Sequence, residues 1–172
     1  MELGLTHDEI AAFIRVNTEK VFSMMLDLPL VASPAVVEGA LANGEGGVIA
    51  LVGFAGEWSG SGSIRCSDAL ACSISAKLLL TDFDCVNDEV LDAMGEIANM
   101  VVGNFKDDAA DKLGLVGLST PTVIYGNNFQ ARNFNGQTWT AVPFDCAGET
   151  FEVKISLVPS RILHETPCIP HR

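Results

Sequence analysis

The sequence predicts an α+β domain in which two long helices cover one face of a largely antiparallel sheet. Three observations predict it. Two stretches, one opening at Thr6 and one at Asn87, carry apolar residues at helical spacing. Runs with strand character follow each of them and do not alternate with helices one for one, as a parallel doubly wound sheet would require. The run from Phe151 to Val158 sets Phe151, Val153, Ile155 and Leu157 on one side and Glu152, Lys154 and Ser156 on the other, a strand pattern with two unlike faces.

The first helix starts at Thr6, an N-cap with Glu9 three residues on, and runs through Ile10, Phe13, Ile14, Val21, Phe22 and Met25 to stop before Pro29. A strand over Ala35–Leu41 ends at Asn43-Gly44, a hairpin signal. Val48–Phe54 is a continuous apolar run, the pattern of a central strand covered on both faces. Trp58–Cys66 is a third strand, and Ser67-Asp68 opens a short helix reaching Leu80. The second long helix starts at Asn87-Asp88-Glu89, with acidic residues where the helix dipole favours anions, and continues to Lys112 before Gly114. Strands return at Thr122–Tyr125, Thr138–Cys146 and Phe151–Val158, with a polar, turn-rich stretch over Gly126–Gly136. Residues 1–158 read as one domain and 159–172, with Pro159, Pro167 and Pro170, as an extended tail. His7-Asp8-Glu9-Ile10 echoes Asn87-Asp88-Glu89-Val90, which leaves a duplicated unit open without establishing one.

Composition narrows the function. The 172 residues are 48% hydrophobic and 19% charged, enough to bury a sizeable core. Ten basic against 22 acidic residues give a formal charge of −12, which repels phosphate backbones and anionic lipid surfaces. Nucleic-acid and membrane-surface roles are therefore not expected. The most apolar uncharged run, Gly46–Gly56, is far shorter than the roughly 20 residues of a membrane span. The first residues lack the basic and apolar regions of a secretory signal, so the cytosol is the expected compartment. Cys66, Cys72, Cys85, Cys146 and Cys168 are odd in number and form no CxxC pair, and they read as small buried hydrophobes of a reducing compartment. His7, His164 and His171 have no metal-ligand spacing, so no metal site is expected.

The chemistry points to the second long helix. Its apolar residues, from Val90 to Phe105, gather on one stripe, and the opposite face presents Asp92, Glu96, Asn99 and Gly103. Glu96 and Asn99 are i and i+3, so their side chains rise beside each other. An ordinary solvated face is the commoner meaning of such a stripe. Three details count against it. Asn prefers caps to helix interiors. Gly95 and Gly103 each cost about 1 kcal/mol relative to Ala. Asp92 and Glu96, at i and i+4, repel each other. The two glycines would leave a low surface for close approach of another protein.

Asp92-Ala93-Met94-Gly95-Glu96-Ile97-Ala98-Asn99, followed by Pro121 22 positions after Asn99, resembles the motif of the CheC/CheX/FliY group of bacterial chemotaxis phosphatases, CheX in particular. The resemblance is clearest over residues 86–125 and fits the layout to about residue 158. The first helix lacks the pair, with Val16 and Glu19 at the matching positions, and a single site per chain is similar to CheX. The resemblance implies a phosphatase that hydrolyses the aspartyl phosphate of a phosphorylated CheY-like response regulator. Asn99 would orient the attacking water and Glu96 would dock on the regulator's active-site lysine. Asp92, Gly95 and Gly103 would support binding. No cofactor of the chain's own is implied, since the Mg²⁺ would belong to the partner. The resemblance also implies a homodimer joined through sheet edges. A non-catalytic adaptor that binds a regulator or serves a flagellar switch is the rival reading. It has no need of Asn99.

Overall fold

Thr6 begins the fold with a reciprocal cap. Its Oγ1 accepts from Glu9 N at 3.2 Å while Glu9 Oε2 accepts from Thr6 N at 2.9 Å, and α1 runs from there over His7–Leu26. The computed structural model describes residues 4–39, 42–43, 46–128, 130–131 and 137–160. After α1 come β1 (Val31–Ala32), β2 (Val36–Glu38), β3 (Ala42–Asn43), β4 (Gly47–Gly56) and β5 (Trp58–Cys66). Then follow α2 (Asp68–Leu79), α3 (Asp88–Asp108) and the single turn α4 (Ala110–Leu113). The chain closes with β6 (Val116–Leu118), β7 (Thr122–Gly126), β8 (Gln130–Ala131), β9 (Trp139–Cys146) and β10 (Glu149–Pro159).

Eight strands make one antiparallel sheet in the order β1-β9-β10-β5-β4-β6, with β2 also on β9 and β7 also on β4. The apolar run at Val48 is indeed central. β4 pairs with β5 along one side and with β7 and β6 along the other. The α+β expectation holds, and the short helix α2 joins the two long helices, with α1, α2 and α3 in mutual contact.

Three details differ from the sequence reading. The strand before Asn43 does not fold back on β4. Its strand β2 pairs with β9 at the far side of the sheet, and Asn43 pairs with Gln130 in a separate two-stranded ribbon. The Asn-Gly signal is local and carries no information about which strand a segment meets. The second long helix stops at Asp108 and restarts as α4, whose turn ends at Gly114. The short strands β1 and β6 have too few residues to show a period and were not anticipated. The expected tail beyond Ser160 lies outside the described residues, as do parts of the Gly126–Gly136 stretch and Cys168.

The helices lie on the sheet face formed by Val48, Ala50, Val52, Phe54, Ile64, Val153 and Ile155, all buried. α1 crosses β9 and β10, where Phe22 stacks on Phe151 (centroids 4.9 Å apart) and Phe151 on Phe144 (5.3 Å). α3 crosses β4, β5 and β7. It lies close because β5 offers Gly62 beneath it. A Cβ there would stand 2.5 Å from Val102 Cγ2. On the reverse face, polar residues are buried too. Lys154, 5% exposed, is paired with Glu38 and, at 3.1 Å, with Glu152.

Candidate functional site on the outer face of α3

The helical period of α3 decides which side chains reach solvent. Val90, Met94, Ile97, Ala98, Val101, Val102 and Phe105 are buried, which commits that stripe to the core. Asn87 caps the helix by accepting from Val90 N at 3.0 Å. Turned away from the stripe, Asp92 and Glu96 are exposed and Asn99 is half-buried, one turn apart on a continuous helix. Among the described residues, neither Glu96 nor Asn99 has a side-chain hydrogen bond or ion pair. An exposed carboxylate and an unengaged carboxamide therefore stand side by side on a rigid base. The carboxylate accepts from cations. The carboxamide donates and accepts without titrating.

The two glycines of the helix differ. Gly103 is half-buried and nearly open, since a Cβ there would have only Leu118 Cδ1 within reach, at 3.9 Å. Gly95 is buried, not part of an open surface. A Cβ there would meet Val123 Cγ2 at 3.3 Å and Pro121 Cβ at 3.4 Å. The close approach at Gly95 is made by the start of the chain's own β7. This gives the distant proline a structural sense. Pro121 packs against the helix one turn before Asn99, so the 22-residue separation in sequence becomes contact in space.

Two residues the sequence reading passed over hold that segment in place. Ser119 Oγ accepts from Gly53 N at 2.8 Å and donates to Thr120 O at 2.9 Å, and Ser119 N donates to Gly53 O at 2.9 Å. The entry to β7 is thereby tied to the central strand. No periodicity marks a serine of this kind; only its closeness to Pro121 could have drawn notice.

The first helix presents no second copy of the site. At its matching positions Val16 and Glu19 are exposed. Its own Asn17 is turned inward, donating from Nδ2 to Phe13 O at 2.9 Å and to Asp108 Oδ2 at 3.0 Å, so that amide ties α1 to the end of α3.

Burial pushes the Cys66 thiol up to about 12, and burial raises Cys72 and Cys146 as well. Cys85 is exposed, which departs from the expectation that the cysteines are core residues. Among the described residues no group of three or more His, Cys, Asp or Glu is arranged to hold a metal ion. Among those residues, too, no helix is long and apolar enough to cross a membrane.

A family model described as chemotaxis phosphatase CheX matches residues 48–145, a span that contains Asp92, Glu96, Asn99 and Pro121. The chain belongs to the chemotaxis phosphatase CheX family. Solved CheX structures agree with the assignment. The chain is similar to chemotaxis protein CheX from Desulfovibrio desulfuricans, with 26% identity over 87% of this chain and 99% of that one and a TM-score of 0.77. It is similar to the same extent to CheX from Vibrio vulnificus, again 26% identical with a TM-score of 0.77 and the same coverage. A CheX from Borrelia burgdorferi, solved as a CheX–CheY–BeF3–Mg²⁺ complex, is 25% identical over 86% of this chain and 97% of that one, with a TM-score of 0.74. No curated protein matches the chain.

Proposed function

We propose that this CheX-family chain hydrolyses the aspartyl phosphate of a CheY-type response regulator, with Asn99 and Glu96 on α3 as the working pair. One observation carries the reading. Glu96 and Asn99 stand together on the outer face of a buried helix, and neither is used by the fold. The Borrelia relative solved in complex with CheY, beryllofluoride and Mg²⁺ supports the choice of partner.

The reaction asks little covalent work of the phosphatase. An acyl phosphate is already activated, and transfer to water chiefly needs an oxygen held in line with the breaking bond. Water's oxygen bonds to phosphorus, the bond from phosphorus to the aspartyl oxygen breaks, and the carboxylate leaves. The proton departs with inorganic phosphate. The Asn99 carboxamide accepts a hydrogen bond from that water and holds its lone pair on phosphorus. A neutral group suits the task, since a second anion would repel the phosphoryl oxygens. Glu96, one turn earlier, pairs with a lysine beside the regulator's phosphorylated aspartate and fixes the register of docking. Asp92 adds negative potential one turn further back, and Gly103 keeps the helix low where the partner passes. Mg²⁺ is the regulator's own.

Asn99→Ala tests the reading. Decay of a ³²P-labelled CheY-type regulator is expected to accelerate with the wild-type chain and to fall to the spontaneous rate with the variant, while binding persists. Equal decay with and without the wild-type chain, across the CheY-type regulators of the same genome, would remove the enzyme and leave a binding module.

A further inference from the structure

Next to the Glu96–Asn99 face, α2 ends in a way that neither propensity nor packing explains. Leu80 follows the last helical residue in the left-handed region, φ 54°, ψ 39°. Glycine or asparagine is the favoured residue for a helix end of this kind. A leucine there carries a steric cost, and this one is 90% exposed, so burial does not offset it. Its neighbour Leu79 is also exposed. Leu79 forms one wall of an open cleft of about 410 Å³, together with Leu78 and Phe83. The opposite rim is acidic and belongs to α3: Glu89, Asp92 and Glu96. The cleft and the proposed docking face thus share Asp92 and Glu96 and form one continuous surface.

We propose that this cleft, together with exposed Leu80 between its lining residues Leu79 and Thr81, is a second contact for the response regulator and selects which regulator docks. The inference rests on the reading of Glu96 and Asn99 given above. The occupant is a segment of the regulator's surface that offers an apolar side chain to Leu78, Leu79 and Phe83. A lysine or arginine beside it answers Glu89 and Asp92. Apolar burial supplies affinity, and the acidic rim excludes regulators that are acidic at the corresponding place. Asn99 and Glu96 address groups near the phosphorylated aspartate. Leu80 and the apolar wall of the cleft address a part of the partner surface that lies apart from the reacting phosphorus.

The test titrates the chain against a CheY-type receiver domain activated with Mg²⁺ and beryllofluoride, by calorimetry, and follows dephosphorylation of the same domain in parallel. Leu80→Asn and Leu80→Gly both suit the left-handed backbone, so neither is expected to lower Tm. Removing one buried leucine from the contact is expected to raise Kd about tenfold. KM is expected to rise with it while kcat stays at the wild-type value. A Kd within twofold of wild type for both variants overturns the proposal. If such variants bind normally while Asn99→Ala still abolishes phosphatase activity, this inference alone fails. A wild-type chain that binds no activated receiver domain of its genome overturns it together with the functional reading.

Discussion

Three glycines that face different neighbours separate packing from docking. At Gly103, alanine replaces a residue that costs a helix interior about 1 kcal/mol. The added methyl meets only Leu118 Cδ1, at ordinary contact distance (3.9 Å), so nothing offsets the gain. For a chain of this size the stabilisation amounts to a rise in Tm of about 2–4 °C. At Gly95 the same propensity gain is opposed by Val123 Cγ2 at 3.3 Å and the stiff Pro121 ring at 3.4 Å. The two effects nearly cancel, and Tm is expected to stay within about 2 °C of wild type. At Gly62, on a strand, there is no helical gain. Val102 Cγ2 would lie only 2.5 Å away, and the overpacking is expected to cost about 1–3 kcal/mol. The order of Tm is therefore Gly103→Ala above Gly95→Ala above Gly62→Ala, read by circular dichroism melts of the three variants. Phosphatase assays on the same samples are expected to reverse part of that order. Gly103→Ala, the most stable variant, is expected to raise KM for the phosphorylated regulator, because its methyl would stand on the proposed docking face. A Gly103→Ala protein that melts below wild type would refute the packing argument. One that melts higher with unchanged KM would remove Gly103 from the docking surface.

Two further outcomes follow from charge and burial. Glu9, bonded to Lys112 and to the Thr6 backbone, has its carboxyl lowered from 4.5 to about 2. Its contribution to stability is complete above the unfolded value and is lost as pH falls from 4.5 towards 2. Glu9→Gln is therefore expected to lower Tm at pH 7, with the difference from wild type shrinking in melts at pH 3; a difference that grows on acidification contradicts the pairing. Cys66, buried and pushed up to about 12, is expected to resist iodoacetamide at pH 8 in the folded chain, while exposed Cys85 is alkylated. Peptide mapping of the labelled protein reads both at once, and early labelling of Cys66 would count against the burial described.

Much of the fold was legible because long-range demands and local patterns coincide in its largest elements. The Thr6/Glu9 cap, the apolar stripe of α3 and the unbroken apolar run of β4 each carry their structural role in consecutive residues. What was not legible depends on partners distant in the chain. Nothing near Val36 says that it will lie beside Ala141 and not β4, because strand choice is settled by the whole sheet. Gly95 illustrates the same limit within the site. Its cost to the helix could be seen, but its reason, the approach of Pro121 and Val123, lies 26 and 28 residues downstream. Glu96 and Asn99 were visible because their relation is local, one turn of one helix. The Ser119–Gly53 tie, spanning 66 residues, was not.

The inner stripe of α3 ties the availability of the site to the fate of the whole domain. Residues such as Met94, Ile97, Ala98 and Val101 are fully or almost fully buried, and Glu96 and Asn99 are interleaved with them along the same turns. A lid or loop can open while the rest of a protein stays folded; a central helix has no such freedom. The amides around Asn99 should exchange with solvent deuterium only when the entire domain unfolds. The active fraction on heating should then trace the melting curve itself, with no intermediate that is folded but already inactive.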